Sequence, residues 1–143
     1  MTATYYSRSN EANTPDKVYC ELLFASAYQD AADFIGIDNG AGSQVYLTTD
    51  GSNLSVPGLA NGDIVQLCYK QSTGDLWIGV NNSWIGGGDP SAETTPTFSG
   101  LSGLYYVFSQ ANIINTPQSV VMQPSSASWT YAAPTGASSW NGA

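Results

Sequence analysis

The groups with chemistry to offer in this chain are chiefly carboxylates, amides, hydroxyls and indoles, with two thiols and three cations, and its 143 residues include no histidine. Without imidazole there is no Ser-His or Cys-His pair and no His-rich metal site, which excludes several nucleophilic and zinc mechanisms. Carboxylate-pair chemistry survives that cut. A retaining glycosidase needs two carboxyl groups about 5 to 5.5 Å apart, most simply at alternating positions of one strand. No stretch offers that pattern: Asp30 and Asp33 lie near one strand start, Asp63 and Asp75 at two others, and Asp38, Asp50 and Asp89 in turns. Such carboxylates read as turn and solubility residues, so no catalytic residue is expected.

Calcium is a second chemistry to weigh. Asp38-Asn39-Gly40, and Asp89 beside three glycines, carry suitable oxygen ligands, but neither extends into a spaced ligand series ending in glutamate. No metal site and no cofactor follow. The two cysteines, Cys20 and Cys68, fall inside predicted strands, not in close-spaced loops, which argues against a zinc pair and for reduced, buried thiols. Binding is the remaining option. Large rigid aromatics supply contact area at small entropic cost, and the candidates are Tyr28 in a polar connection, Trp84 just past a turn, the turn amides Asn81 and Asn82, and Asp89. Trp77 alternates with Leu76 and Ile78, so it points to the opposite face of its strand and reads as a packing residue.

The elements that must position these residues are short strands. Apolar, β-branched and aromatic runs place them at 17 to 25, 33 to 38, 43 to 48, 63 to 70, 75 to 80, 104 to 109, 119 to 123 and 128 to 132, with Gly, Pro, Asn, Asp and Ser in every gap. Gln71 to Asp75 supplies a hairpin loop, with Gly74 for a positive φ, and Asn81-Asn82-Ser83 ends the next strand. Many short strands at regular spacing predict an all-β fold, an antiparallel two-sheet β-sandwich. Val65, Leu67 and Tyr69 form one interior face of it, and Leu76, Ile78 and Val80 another. Residues 1–143 read as one domain, with 1–16 and 133–143 as extended termini. The longest irregular stretch is Gly86 to Gly103, where a sandwich tends to carry function. Trp129, Tyr131 and Trp140 either close the sandwich or pack on a neighbour.

The order of parts resembles a SPRY domain. Lys17-Val18-Tyr19-Cys20-Glu21-Leu22 is similar to that family's lysine-aromatic-glutamate strand, Phe34-Ile35-Gly36-Ile37 to its next apolar strand, and Gly62-Asp63-Ile64-Val65 to its Gly-Asp strand start. Leu76-Trp77-Ile78-Gly79-Val80-Asn81 and Leu104-Tyr105-Tyr106-Val107-Phe108-Ser109 continue the series to about residue 110. A narrower likeness joins Trp77 to Asn81, Trp84, the Gly86-Gly87-Gly88-Asp89-Pro90 loop, Thr95 to Leu101 and Tyr131 to Gly136. Together these resemble the SPRY-like modules of tailed-bacteriophage and other viral structural proteins. The resemblance implies a concanavalin-like sandwich used for adhesion or assembly and not for chemistry.

Charge narrows the partners. Arg8, Lys17 and Lys70 face eleven acidic residues, for a net charge of −8, which disfavours nucleic acid and anionic lipid because both rely on clustered Lys and Arg. Only 10% of residues are charged, but 42% are apolar and 12% aromatic, so a folded core is expected, with polarity supplied by Ser, Thr, Asn and Gln. Met1 to Arg8 lacks the apolar region of a secretory leader and no window approaches a membrane span, giving the expectation of a chain neither exported nor inserted in a membrane. The resulting expectation is a non-enzymatic component of a virion assembled in the host cytoplasm: a tail or head fibre module or a capsid decoration protein. Its partners would be other virion proteins, a host-surface glycan or protein, or further copies of itself. A glycan-binding lectin-like module and a polysaccharide-cleaving glycosidase of sandwich fold are the alternatives.

Overall fold

A computed structural model describes residues 2–8, 16–24, 34–38, 44–48, 54–55, 62–101, 106–111, 120–123 and 125–140. The chain is all-β in character. Its strands are β1 (Thr2–Arg8), β2 (Lys17–Phe24), β3 (Phe34–Asp38), β4 (Gln44–Thr48), β5 (Leu54–Ser55), β6 (Ile64–Lys70), β7 (Asp75–Val80), β8 (Ser83–Trp84), β9 (Tyr106–Ala111), β10 (Val120–Gln123) and β11 (Ser138–Ser139). Two short 3-10 turns, Ile85–Gly87 and Ser126–Ser128, are the helical elements among the described residues.

The strands make two sheets. One runs β1-β9-β3-β4-β5; the other runs β10-β2-β6-β7-β8, with β11 also paired to β2. The ladders are antiparallel except β4 with β5 and β2 with β11. Strands at 17–24, 34–38, 44–48, 64–70, 75–80 and 120–123 fall where apolar alternation places them. Thr2–Arg8, left by the sequence pattern as part of an extended terminus, pairs with β9. The expected strand at 128 to 132 does not form. There the backbone N–H groups of Thr130 and Tyr131 donate to the Glu21 carboxylate, so they are spent on a side chain and not on a ladder.

The β2-β6-β7 register explains the core. Val18, Cys20 and Leu22 on β2, Val65, Leu67 and Tyr69 on β6, and Leu76 and Ile78 on β7 are all buried in one cluster, with Val80, Met122, Phe98 and Leu101 packed at its margin. The two expected interior faces are therefore one continuous surface, because paired residues of neighbouring strands point to the same side. Trp140 reaches the same cluster and stacks on Tyr69 at a ring separation of 6.0 Å. The hairpin between β6 and β7 turns at Gly74, whose φ is 73°. A Cβ at Gly74 would sit 2.0 Å from the Leu101 carbonyl oxygen, so the loop can cross there only over glycine.

Candidate functional site

The opposite face of the six-stranded sheet is where the polar and aromatic side chains collect. Alternation places Lys17, Tyr19 and Glu21 of β2 there, in register with Lys70, Cys68 and Gln66 of β6 and with Asp75, Trp77 and Gly79 of β7. Trp84 of β8 completes the last row opposite Gly79. A face with such polarity would ordinarily meet water, yet Lys17, Tyr19, Glu21, Gln66, Cys68 and Trp77 are all buried. Two segments cover it: the loop from Trp84 to Phe98 and the C-terminal strap from Ser125 to Trp140.

Two buried charges hold these covers. The Glu21 carboxylate, wholly excluded from solvent, accepts the Tyr19 hydroxyl at 2.8 Å, the Tyr131 N–H at 2.8 Å and the Thr130 N–H at 2.6 Å. Four residues away on the same face, the Lys17 ammonium donates to the carbonyls of Pro90 and Thr135, each at 2.9 Å, and sits 3.1 Å from a Glu93 oxygen. An ammonium has three donors, and each of these has a partner. Buried ions are costly unless satisfied in this way. Lys17 and Glu21 thus fix the strap by its carbonyls and its amides respectively, and Lys17 fixes the loop as well.

The loop is braced along its length. Trp77 Nε1 donates to the Thr94 carbonyl at 2.8 Å, and Asp89 and Thr94 exchange both backbone bonds. Glu93 also accepts from Lys70, and both Glu93 and Thr95 have positive φ, at 59° and 48°. Those conformations are uncommon for residues with side chains and persist only when their surroundings enforce them. At Glu93 the two lysines grip the side chain. They hold the Glu93 carboxyl below the usual carboxylate range, Lys70 having the larger effect, and the same bond raises Lys70.

The residues singled out in the sequence separate under this geometry. Asn81 and Asn82 both lie in the left-handed region, at φ 50° and 64°, as turn chemistry requires. The Asn81 side chain accepts the Ile64 N–H and donates to Asp63, and the Asn82 N–H donates to the Gln66 side-chain Oε1 at 2.6 Å. Asp89 accepts the N–H groups of Ser91 and Ala92 and so forms a local turn. Trp84 is half-buried over Gly79, where a Cβ would come within 3.0 Å of its ring, and it meets Tyr19 edge-on at 6.5 Å. Trp77 is fully buried, in agreement with its alternation. Tyr28 lies outside the described residues.

The glycine run also divides. Gly86 and Gly87 are exposed with positive φ and open space beside them, whereas Gly88 lies against Trp77 and the Thr95 carbonyl. Its close approach is to the chain's own interior. Cys20 and Cys68 are free and buried on opposite faces of adjacent strands, Cys20 in the apolar cluster and Cys68 beside Tyr19 and Trp77. Burial pushes both thiols up, that of Cys68 to about 12.

Sequence reasoning missed Lys17, Glu21, Gln66 and Trp129 as parts of this face. For Lys17, Glu21 and Gln66 the signal was the polar half of the β2 and β6 alternation, which ordinarily marks a solvated surface; Trp129 lies in no strand and had no such signal. Trp129 packs on Tyr19 at 4.7 Å and nearly perpendicular, and its Nε1 donates to the Gln123 carbonyl at 2.8 Å. Among the described residues, no group of three or more His, Cys, Asp and Glu is placed to hold a metal ion. The carboxylates of Asp16, Asp63, Asp75 and Asp89 each accept from a neighbouring turn residue. The chain matches no protein-family model, and it matches none of the curated proteins with which it was compared.

Proposed function

We propose that this chain is a non-enzymatic structural and recognition module of a viral particle, a tail or head fibre component or a capsid decoration protein, with a SPRY-like, concanavalin-like sandwich as its scaffold. The observation that carries the reading is the covered polar face. Its buried ions and amides are each occupied in fastening a loop or strap, an arrangement that spends polar groups on rigidity and leaves the exposed tips of those covers as the contact surface. Carboxylates engaged as turn acceptors are poorly suited to acid-base work, which favours recognition over hydrolysis. The two-sheet division of the strands and the series of SPRY-like segments favour the scaffold. The net charge of −8 favours neutral or basic partners.

Immunogold labelling of purified particles with an antibody to this chain tests the proposal. Regular labelling at a fixed position on the capsid or tail is the expected result. Particles that lack the chain at every stage of purification would overturn it.

A further inference from the structure

The exposed part of the covered face carries a feature that particle assembly alone does not require. Tyr19 is fully buried and meets two half-buried indoles, Trp84 at 6.5 Å and Trp129 at 4.7 Å, so an indole from the loop side and one from the strap pack edge-on against the same ring. We propose that Trp84 and Trp129 form a stacking platform for a pyranose ring of a neutral glycan, with Asn82, Ser83 and Thr130 supplying hydrogen bonds to its hydroxyl groups. The inference rests on the reading of the chain as a recognition module and names the ligand class of its contact surface.

Three observations select a neutral sugar. First, the rim is uncharged: Asn82, Ser83 and Thr130 are exposed, and they offer an amide and two hydroxyls, which match sugar hydroxyls as donors and acceptors. Second, Lys17 and Lys70 are both held by Glu93, so neither offers a cation to a sulfated or sialylated ligand, and the net charge of −8 repels one. Third, Val121 on β10 is the large apolar side chain left exposed among the described residues, so those residues form no broad apolar patch of the kind a protein partner would use.

The platform is also built in advance. The Tyr19 hydroxyl is fixed by Glu21 and Gln66, the turn below Trp84 is fixed by the Asn81 and Asn82 bonds, and Trp84 has its place only because position 79 is glycine. A site that is rigid before binding loses little freedom on binding, which small ligands need because each contributes few contacts. An indole offers the apolar C–H face of a pyranose a flat surface of matching size.

Titration of the purified chain with neutral oligosaccharides of glucose, galactose, mannose and N-acetylglucosamine, and with sulfated and sialylated oligosaccharides, tests the assignment by calorimetry and indole fluorescence. At least one neutral series should bind and shift the fluorescence, and the anionic ligands should not. Trp84→Ala should weaken binding about tenfold or more and Trp84→Phe less. Should Trp84→Ala fail to fold, Ser83→Ala combined with Thr130→Ala decides the matter, since both side chains are exposed and neither backbone lies at positive φ, so the double variant should lose affinity at unchanged melting temperature. Failure of every neutral series to bind, preference for anionic ligands, or full affinity in the folded variants would overturn the assignment. Particle incorporation of the same variants separates the two readings. Incorporation without sugar binding sinks the glycan platform alone, whereas sugar binding by a chain absent from particles sinks the virion role alone.

Discussion

Replacing Glu21 by glutamine probes the strap more directly than any truncation, because the shape is kept and only the charge and one acceptor are lost. In the native arrangement one carboxylate oxygen takes the Tyr19 hydroxyl and the Tyr131 N–H, and the other takes the Thr130 N–H. A glutamine can present its carbonyl to one side only, so in either orientation its NH2 group faces a backbone N–H. An orphaned buried donor costs about 1 to 3 kcal/mol, and the remaining bonds lose their charge assistance. Part of this is offset because a neutral amide is cheaper to bury than a carboxylate. The net expectation for Glu21→Gln is a loss of about 2 kcal/mol, near thirtyfold in the folding equilibrium. Urea unfolding measures the whole, and amide hydrogen exchange locates it. Protection at Thr130 and Tyr131 should fall well before protection at Cys68 in the centre of the sheet. A glutamine variant equal to the parent in urea midpoint and in exchange at these two amides would refute the reasoning, since the carboxylate would then not be what fastens the strap.

The Glu93 clamp predicts an acid-sensitive loop. Its carboxyl is depressed in the folded state, so its contribution is present above the ordinary value of about 4.5 and is lost as pH falls through the lower folded value. Exchange of the Thr94 amide should rise over that interval, and Glu93→Gln should abolish the rise. Both cysteines should resist a thiol reagent in the native protein and react fully after unfolding, because each is buried and burial raises each above its ordinary value; labelling of either in the folded protein by mass spectrometry would contradict this. Gly88→Ala should destabilise more than Gly86→Ala in thermal melts, since its Cβ would lie 2.6 Å from the Thr95 carbonyl and 2.9 Å from Trp77, whereas Gly86 has open space and costs only the roughly 1 kcal/mol of a positive φ. Leu67→Ala, at a fully buried position, should cost about 2 to 5 kcal/mol in urea unfolding.

Apolar alternation made the sheet legible and left the covers illegible, for a physical reason. Val65, Leu67 and Tyr69 announce a buried face because their types match their environment, and the same holds for Leu76 and Ile78. Lys17, Glu21 and Gln66 occupy the other face with types that usually meet water, and only the tertiary arrangement reveals that backbone groups of Asn82, Pro90, Thr130, Tyr131 and Thr135 replace that water. No local pattern encodes a bond such as that of Lys17 to Thr135, 118 residues apart in sequence. The strand expected at 128 to 132 failed for the same reason, its amides having a distant carboxylate as partner. Turn chemistry was readable at Gly74, Asn81 and Asn82, which adopt the positive φ their types permit, but not at Glu93 and Thr95, whose types do not announce it. Trp84 was identified by position alone, and its place over Gly79 shows why a tryptophan there stays partly exposed.

A density map of the assembled particle tests the central claim most directly. The proposal predicts a copy of this chain on the particle exterior, with the turn at Asn81–Asn82, Trp84 and the strap near Thr130 facing solvent, and contacts to other virion proteins lying elsewhere on its surface. A map in which no density fits this chain would contradict it, whereas one in which Trp84 and Trp129 are sealed inside a subunit interface would sink the glycan platform alone.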